Sequence, residues 1–481
     1  SAMAIEKGYE ATLKLMDSIK LIVDRRVSVD ELSKRRNNFR SDLDDIVIQK
    51  VQINGLKEKK EIFARKAILK RDENIDIEKF KIRYFRLLED ERVSFLYPVA
   101  NKDTLSGKYN VSIDVNSQKP FSAEFGGVFS SSPINTGFIS LKYLRLGEVA
   151  LSAEANSYFG KFYGSLYGGV SADSYLPFRF RIKVFGVLNR WDYFRSFSTF
   201  FEDVRPSFIV EYENFGGAEI EFPFFNRGKF GLKHKVGNYD MQYYQTEKFS
   251  PSDTADATNL FMNVSSFYYK ESSLNKKQFA DEGMLLAFEA KYYSLNENTI
   301  PGSTSPLTIE TDNQEHYWYS VSGDFEKYFN LHKNFTFGLS VNFRWMWVSS
   351  FLDNYTATII SAPSFQPILE TNALYLPDYN GHDLSSLGLK NIFHFNESIS
   401  LRIEGYILQH YTKINRSTYN LPYYDLNNPF RNRNFIGSAA FVVQTPVGPI
   451  STTVNYIPTR SQSFSFMLNF GYLLFNERLS K

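Results

Sequence analysis

From Phe121 to Phe475 apolar and polar residues alternate, segment after segment, with the period of two that a β-strand imposes. In Asn334–Val348 the residues Phe335, Phe337, Leu339, Val341, Phe343, Trp345 and Trp347 share one face, and Thr336, Gly338, Ser340, Asn342, Arg344 and Met346 share the other. The last such run sets Phe464, Phe466, Leu468, Phe470, Tyr472 and Leu474 against Ser463, Ser465, Met467, Asn469 and Gly471. The pattern predicts sixteen strands, at 121–130, 136–145, 148–158, 160–173, 177–192, 206–224, 228–246, 257–270, 282–297, 315–328, 334–349, 385–395, 399–412, 436–445, 448–457 and 463–475. Alternation alone does not separate a soluble sandwich, with its apolar face inside, from a membrane barrel, with its apolar face outside. Strand length and loop parity do. Most runs reach the roughly 9 to 11 residues that cross a bilayer, and their number is even. The connections also sort: Gly147, Asn226-Arg227 and Pro446-Val447 are tight, with 271–281 an exception, whereas 193–205, 298–314, 350–384 and 413–435 are long and fall on the other side. The expected fold is an all-β membrane barrel of about sixteen antiparallel strands spanning 118–481, preceded by a small α+β domain and a helical segment.

The α+β unit is expected over 46–117. Ile46–Ile53 forms a strand closed by Asn54-Gly55, and Glu58–Leu69 and Ile77–Leu88 carry apolar residues at helical spacing. Strands at Val93–Val99 and Tyr109–Val115 complete a β-α-α-β-β order. Residues 4–45 read as a helical stub of an upstream domain, with Ser28 and Glu31 forming a capping box and Arg35, Arg36 and Arg40 a basic face. Ser1-Ala2-Met3 reads as a protease-cleavage scar.

Composition narrows the function. The 481 residues carry a net charge of +2, with 45 Phe, 31 Tyr, 6 His and no Cys. That balance gives no electrostatic footprint for nucleic acid. The missing cysteines exclude disulfides, thiolate catalysis and Cys-ligated metals, and the scattered histidines offer no metal spacing, so no cofactor is expected. The mean hydropathy of −0.32 fits a spanning barrel, where lumen-facing residues dilute the lipid-facing ones. Chemistry is equally sparse: no Gly-x-Ser-x-Gly elbow occurs, so no catalytic residue is expected in this chain.

Charges inside the strands fall on the polar face: Arg179, Arg181, Lys183, Glu219, Glu221, Glu289, Lys291, Arg344, Arg402 and Glu404. They form a lumen network, read as a satisfied barrel interior rather than a conduit. His234 lies on the apolar face of its strand, near the headgroup level.

The run Ile436–Ile450, with the turn Pro446-Val447-Gly448-Pro449, followed by the strand carrying Phe470 and Phe475, resembles the closing strands of the POTRA-plus-barrel superfamily of outer-membrane proteins, similar to BamA and TamA. Tyr84-Phe85-Arg86-Leu87-Leu88, Leu96-Tyr97-Pro98 and Phe125–Ser131 look most like the branch that joins a patatin-like phospholipase through one POTRA domain to the barrel, the type Vd autotransporter arrangement. The resemblance implies an outer-membrane barrel, a periplasmic POTRA domain at 46–117, and an upstream phospholipase that the barrel anchors or exports. Membrane lipid, periplasmic chaperones and the barrel-assembly machinery are the implied partners. The alternative is an assembly or translocation factor whose seam, between Phe125, Gly126 and Gly127 and the residues Phe466 and Leu468, opens to template client strands. A passive pore is a third reading. Two departures stand out. The arginine signature that pins the superfamily's sixth loop in the lumen is missing, since 350–384 holds no Arg or Lys, and Phe475 is followed by six further residues.

Overall fold

The computed structural model describes residues 2–23, 27–41, 46–69, 74–132, 134–147, 149–174, 179–193, 209–224, 227–246, 249–250, 252–306, 309–426, 432–460 and 462–480. Three helices open the chain, α1 (Ala2–Lys14), α2 (Met16–Ile22) and α3 (Val29–Ser41). The Ser28 hydroxyl accepts the Glu31 amide at 3.1 Å, the cap the sequence predicts. None of the described side chains in these helices is buried.

The small domain follows as β1 (Val47–Asn54), α4 (Glu58–Leu69), β2 (Ile75–Asp76), α5 (Ile77–Leu88), β3 (Val93–Lys102) and β4 (Tyr109–Ser117). Its sheet runs β2-β1-β4-β3, with β1 and β4 parallel. Asn54-Gly55 makes the turn because Gly55 adopts φ +82°, and an added Cβ would lie 2.6 Å from the Val115 carbonyl oxygen. Phe63, Ile68, Phe80 and Leu87 pack on Ile48, Val51, Ile113 and Val115. The order is the one expected, with the two-residue β2 added.

The remaining elements are β5 (Phe121–Ser130), β6 (Thr136–Arg145), β7 (Ala150–Gly160), β8 (Tyr163–Ser174), β9 (Phe180–Tyr193), β10 (Ile209–Phe224), β11 (Gly228–Tyr243), β12 (Asp256–Ser272), β13 (Met284–Ile300), β14 (Thr311–His332), β15 (Phe335–Val348), α6 (Tyr355–Ser361), β16 (Asp383–His394), β17 (Ile399–Arg416), β18 (Pro422–Asp425), β19 (Arg433–Thr445), β20 (Gly448–Tyr456) and β21 (Phe464–Gly471). Among the described residues β18 is registered only against the end of β17, and β17 also pairs directly with β19, which leaves sixteen strands in a closed antiparallel ring. The small domain abuts one end of the ring, where Leu146 and Ala150 join its core.

β15 decides which face is inside. Thr336 and Ser340 are 3% and 5% exposed, whereas Trp345 and Trp347 are 42% and 55% exposed. The polar face is buried and the aromatic face is outside, the inverse of a soluble sandwich and the arrangement a bilayer requires. Connections at the small domain's end are short, as at 333–334, 395–398 and 446–447, except for 273–283. Those at the far end include 301–310, 349–382 and 417–432. The expected long connection at 193–205 lies mostly outside the described residues.

Candidate functional site: a thin seam beside a filled lumen

Neighbouring strands share long ladders; β10 and β11 pair without a break from Ile209–Tyr243 to Phe224–Gly228. The seam that closes the ring is much shorter. β21 meets β5 at Asn469–Ser130, Phe470–Phe129 and Gly471–Val128 alone. Four further bonds tie it: Ser131 N–H to the Leu468 carbonyl at 2.9 Å, Leu468 N–H to Ser131 Oγ at 3.0 Å, Ser130 Oγ–H to Asn469 Oδ1 at 2.6 Å, and Tyr472 N–H to the Gly127 carbonyl at 3.0 Å. Gly471 has φ +100°, and there the chain leaves the wall and turns into the lumen. Residues 121–126 are therefore paired with β6 on one side and with no residue of β21 on the other, while Gly127 accepts the Tyr472 amide. Phe121 and Phe125 stand on this edge 57% and 78% exposed.

The expected seam residues divide between these roles. Gly127 faces the turn, Leu468 bonds to Ser131, Phe125 and Gly126 lie on the open edge, and Phe466 pairs with Val454 of β20 rather than with β5. In the closing motif, Pro446 and Val447 form a tight turn into Gly448, whose φ is +132°; Pro449 pairs with Gln444, and Phe470 with Ile450 and Phe129. Phe475 departs from expectation. The last strand ends at Gly471 instead of 475, and Phe475 packs edge-on against Tyr163 inside the barrel, ring centres 4.8 Å apart.

The reason is a set of lumen partners waiting for the tail. Asn476 donates its backbone N–H to the Tyr163 hydroxyl at 2.8 Å and its amide to Asn156 Oδ1 at 2.8 Å and Ser165 Oγ at 2.7 Å. Glu477 accepts from Lys233 at 2.7 Å. Arg478 is held by Glu211 and, at 3.2 Å, by Glu213, with its guanidinium 3.9 Å from the Trp191 ring centre. Glu213 also accepts from the Leu479 amide at 3.1 Å and the Ser480 hydroxyl at 2.9 Å.

Among the described residues, two other segments enter the lumen. The turn 273–283 comes from the small domain's end; Gln278 accepts from the Leu473 amide at 3.3 Å, and Arg402 donates to the Phe279 and Ala280 carbonyls at 3.1 and 2.9 Å. The long loop 349–382 comes from the other end. Asn354 caps α6 by accepting the Ala357 amide at 2.9 Å and donates to the Tyr243 hydroxyl at 2.6 Å. Glu370, 3% exposed, accepts from Arg460 at 2.8 Å, from Asn455 at 2.9 Å and from Ser465. The loop is thus pinned by a carboxylate, with the guanidinium on the β20–β21 connection.

Most of the expected charge network faces inward and is paired. Arg181 bonds to Asp173 at 3.0 Å, Glu221 to Lys229 at 2.5 Å, Glu289 to Lys291 at 3.1 Å, Arg344 to Asp324 at 2.6 Å, and Arg402 to Glu404 at 2.8 Å. Glu219 accepts from the Tyr268 hydroxyl at 2.5 Å, and Lys183 sits 4.9 Å from the Phe185 ring centre. Arg181, Lys183, Glu219, Glu221 and Glu289 line a cavity of about 480 Å³ together with Glu477 of the tail. Arg179 is elsewhere. It reaches the Arg86 carbonyl at 3.4 Å and Asp90 at 3.7 Å, at the junction with the small domain. There Arg92, 2% exposed, joins Asp90 at 2.7 Å to Asp173 at 2.8 Å. Burial pushes the Asp90 carboxyl up, but the hydrogen bonds and charge of Arg92, aided by Arg179, outweigh it and hold the carboxyl below its usual range. His234 points outward, bonded to Ser265 at 2.9 Å. Among the described residues no cluster of His, Asp and Glu has the makings of a metal site.

No family model and no curated protein matches the chain. Solved structures do. BamA from Haemophilus ducreyi lacking POTRA domains 1–3 superposes with a TM-score of 0.55 at 10% identity, covering 89% of this chain and 85% of that one. The chain has the BamA fold. CdiB from Acinetobacter baumannii and CdiB from Escherichia coli follow at TM-scores of 0.46 and 0.49, with 9% and 8% identity, 89% of this chain covered in both, and 74% and 77% of theirs. The seam is the join between the first and last strands of the ring.

Proposed function

We propose that this protein is a BamA-like assembly or translocation barrel of the bacterial outer membrane, with residues 46–117 as a periplasmic POTRA domain. The observation that carries the reading is the seam: three residue pairs beside the strand edge 121–126, which has no partner from β21. Backbone donors and acceptors left unpaired at bilayer depth cost several kcal/mol each, so such an edge takes up an incoming strand. A client β-strand arriving from the periplasm adds to 121–126 by main-chain pairing, and the exposed Phe121 and Phe125 give its apolar residues a surface to pack on. The small domain, fixed to the same end of the barrel through Arg92, lies where such a strand would arrive. The chain itself catalyses no covalent chemistry in this reading.

The test is a photo-crosslinkable phenylalanine analogue at position 125, with the purified barrel in vesicles and an unfolded outer-membrane barrel protein as client. Crosslinks from 125 and few from Val170, on the wall at β8, are expected; equal yields would remove the basis of the proposal. The link to an upstream phospholipase rests on the resemblance at Tyr84–Leu88 and Phe125–Ser131, and activity of the native upstream sequence on phospholipid vesicles tests it.

A further inference from the structure

Strand addition at the seam needs no covalent chemistry, but the barrel rim away from the small domain holds the parts of a hydrolytic site. Where β13 and β15 end and β14 begins, the Ser350 hydroxyl lies 2.6 Å from His316 Nδ1, and His316 Nε2 lies 3.0 Å from Glu297 Oε2. An ionised carboxylate only accepts, so Nε2 carries the ring proton and Nδ1 offers its lone pair to the Ser350 O–H. Glu297 is fixed in turn: it accepts from the Thr299 hydroxyl at 2.9 Å and from the Asp353 amide at 3.1 and 3.3 Å to its two oxygens. His316 and Glu297 are fully buried, whereas Ser350 is exposed at the start of the long loop. A buried carboxylate, an oriented imidazole and an accessible hydroxyl, hydrogen-bonded in series, make a nucleophilic serine, and such a site is recognised by arrangement rather than by sequence motif. Among the described residues the amides of Ser350 and Phe351 have no hydrogen-bond partner. Amides at these two positions, the nucleophile's own and the next, are the donors that hold an oxyanion in acyl transfer.

We propose that Ser350, His316 and Glu297 form a hydrolytic site for lipid acyl esters at the outer rim of the barrel. The Ser350 oxygen attacks the acyl carbon while its proton passes to His316 Nδ1, and the carbonyl pair moves onto oxygen. When that pair returns, the bond from carbon to the alcohol oxygen breaks and the departing alcohol takes the proton from Nδ1. Water repeats the two steps on the Ser350 ester, which frees the acid and returns a proton to Ser350; the sum is ester plus water to acid plus alcohol. Glu297 touches no reacting atom. It is a positioning residue that holds the ring and stabilises the imidazolium as it forms. The depth of the site points to lipid: Trp347 and Tyr317, 55% and 43% exposed, stand outward beside it, the aromatic girdle that marks headgroup level. Ser350 lies three residues beyond Trp347, at the end of the strand, within reach of an ester linkage at the membrane surface. The proposal needs the barrel in a bilayer but not the seam, so either can fail without the other.

The full chain, in vesicles of ether-linked phospholipid that contain no ester, is treated with a fluorophosphonate, a probe that marks nucleophilic serines. Mass spectrometry should find the label on Ser350 and find it lost in Ser350→Ala. Hydrolysis is then followed on one fluorogenic acyl ester, supplied either dissolved in water or incorporated in the vesicles. Turnover of the vesicle-borne ester is expected, falling by about 100-fold or more in Ser350→Ala, and by a similar factor in Glu297→Gln through kcat with KM unchanged. His316 and Glu297 are buried and their variants can disturb folding, so a second measurement leaves both in place. The chain has no cysteine, and Ser350→Cys and Ser349→Cys each introduce a single thiol. At about pH 6 iodoacetamide should modify position 350 about tenfold faster than 349 or more, because an adjacent imidazole lowers a thiol below its ordinary value near 8.5. No label on Ser350, or equal rates at the two thiols, would overturn the proposal. Labelling without turnover of either ester would overturn the hydrolytic assignment, and turnover of the dissolved ester alone would overturn lipid as the substrate.

Discussion

Glu370 offers the sharpest quantitative handle on how the long loop is held. Its carboxylate side chain is 4% exposed and its partner Arg460 19%, so the pair is shielded though not sealed. Removing one member of a fully buried pair costs about 3–5 kcal/mol. Arg460 can still reach water, which places the charge contribution of Glu370→Ala at the lower end or beneath it, about 2–3 kcal/mol. Asn455, 2% exposed, loses an acceptor as well, worth about another 1 kcal/mol. The expected destabilisation is therefore about 3–4 kcal/mol for Glu370→Ala. Glu370→Gln keeps an acceptor for Asn455 and Ser465 and should cost only about 1–2 kcal/mol. A double-mutant cycle with Arg460→Ala should return a coupling of about 1–2 kcal/mol. The assay is reversible urea unfolding of the barrel in vesicles, read as a shift of midpoint at constant slope. Single-channel recording in planar bilayers adds an independent readout, since a released loop should raise the conductance. A Glu370→Ala midpoint equivalent to less than about 0.5 kcal/mol, or zero coupling to Arg460, would refute the assignment of this pair as the loop's pin.

Gly471→Ala should be costly, because the added Cβ falls 2.0 Å from the Gly127 carbonyl oxygen and the backbone is at φ +100°; we expect a loss of at least about 2 kcal/mol in the same unfolding assay. The Asp90–Arg92–Asp173 junction should be pH-dependent in one direction. Asp90 titrates lower in the folded protein than unfolded, so its contribution is complete above the usual carboxylate value near 4 and disappears as pH falls through its depressed folded value; protease cleavage between the small domain and the barrel should rise below about pH 4, and Asp90→Asn should flatten that dependence. Val341→Arg, outward at the middle of β15, should cost about 2–4 kcal/mol in vesicles.

The barrel was legible because alternation is a local signal, and all sixteen ring strands lie within a few residues of their expected bounds. The same signal misled at the end. It carries the last strand to 475, since nothing in the alternation registers that Gly471 turns inward or that Arg478 has partners 267 and 265 residues earlier. Glu211 and Glu213 follow the spacing of Glu219 and Glu221 on the same strand and were open to the same reasoning. Glu370 and Arg460 were not, because a loop has no period to set their orientation. Arg179 shows a different limit: it shares a face with Arg181, but at the strand's start that face meets the small domain rather than the lumen. β18 was hidden for a similar reason, a four-residue strand inside what reads as loop.

The most direct test of the seam as the working part is to lock it. Phe129→Cys with Phe470→Cys, joined across the three-pair seam, is compared with Val170→Cys with Val184→Cys, joined across β8 and β9 where the wall is fully paired. Folding of an unfolded outer-membrane barrel client into vesicles that contain each variant is timed before and after reduction. The account predicts that the unmodified protein accelerates client folding, that the seam disulfide abolishes that acceleration and reduction restores it, and that the wall disulfide changes nothing. Equal acceleration with the seam locked and unlocked would contradict it.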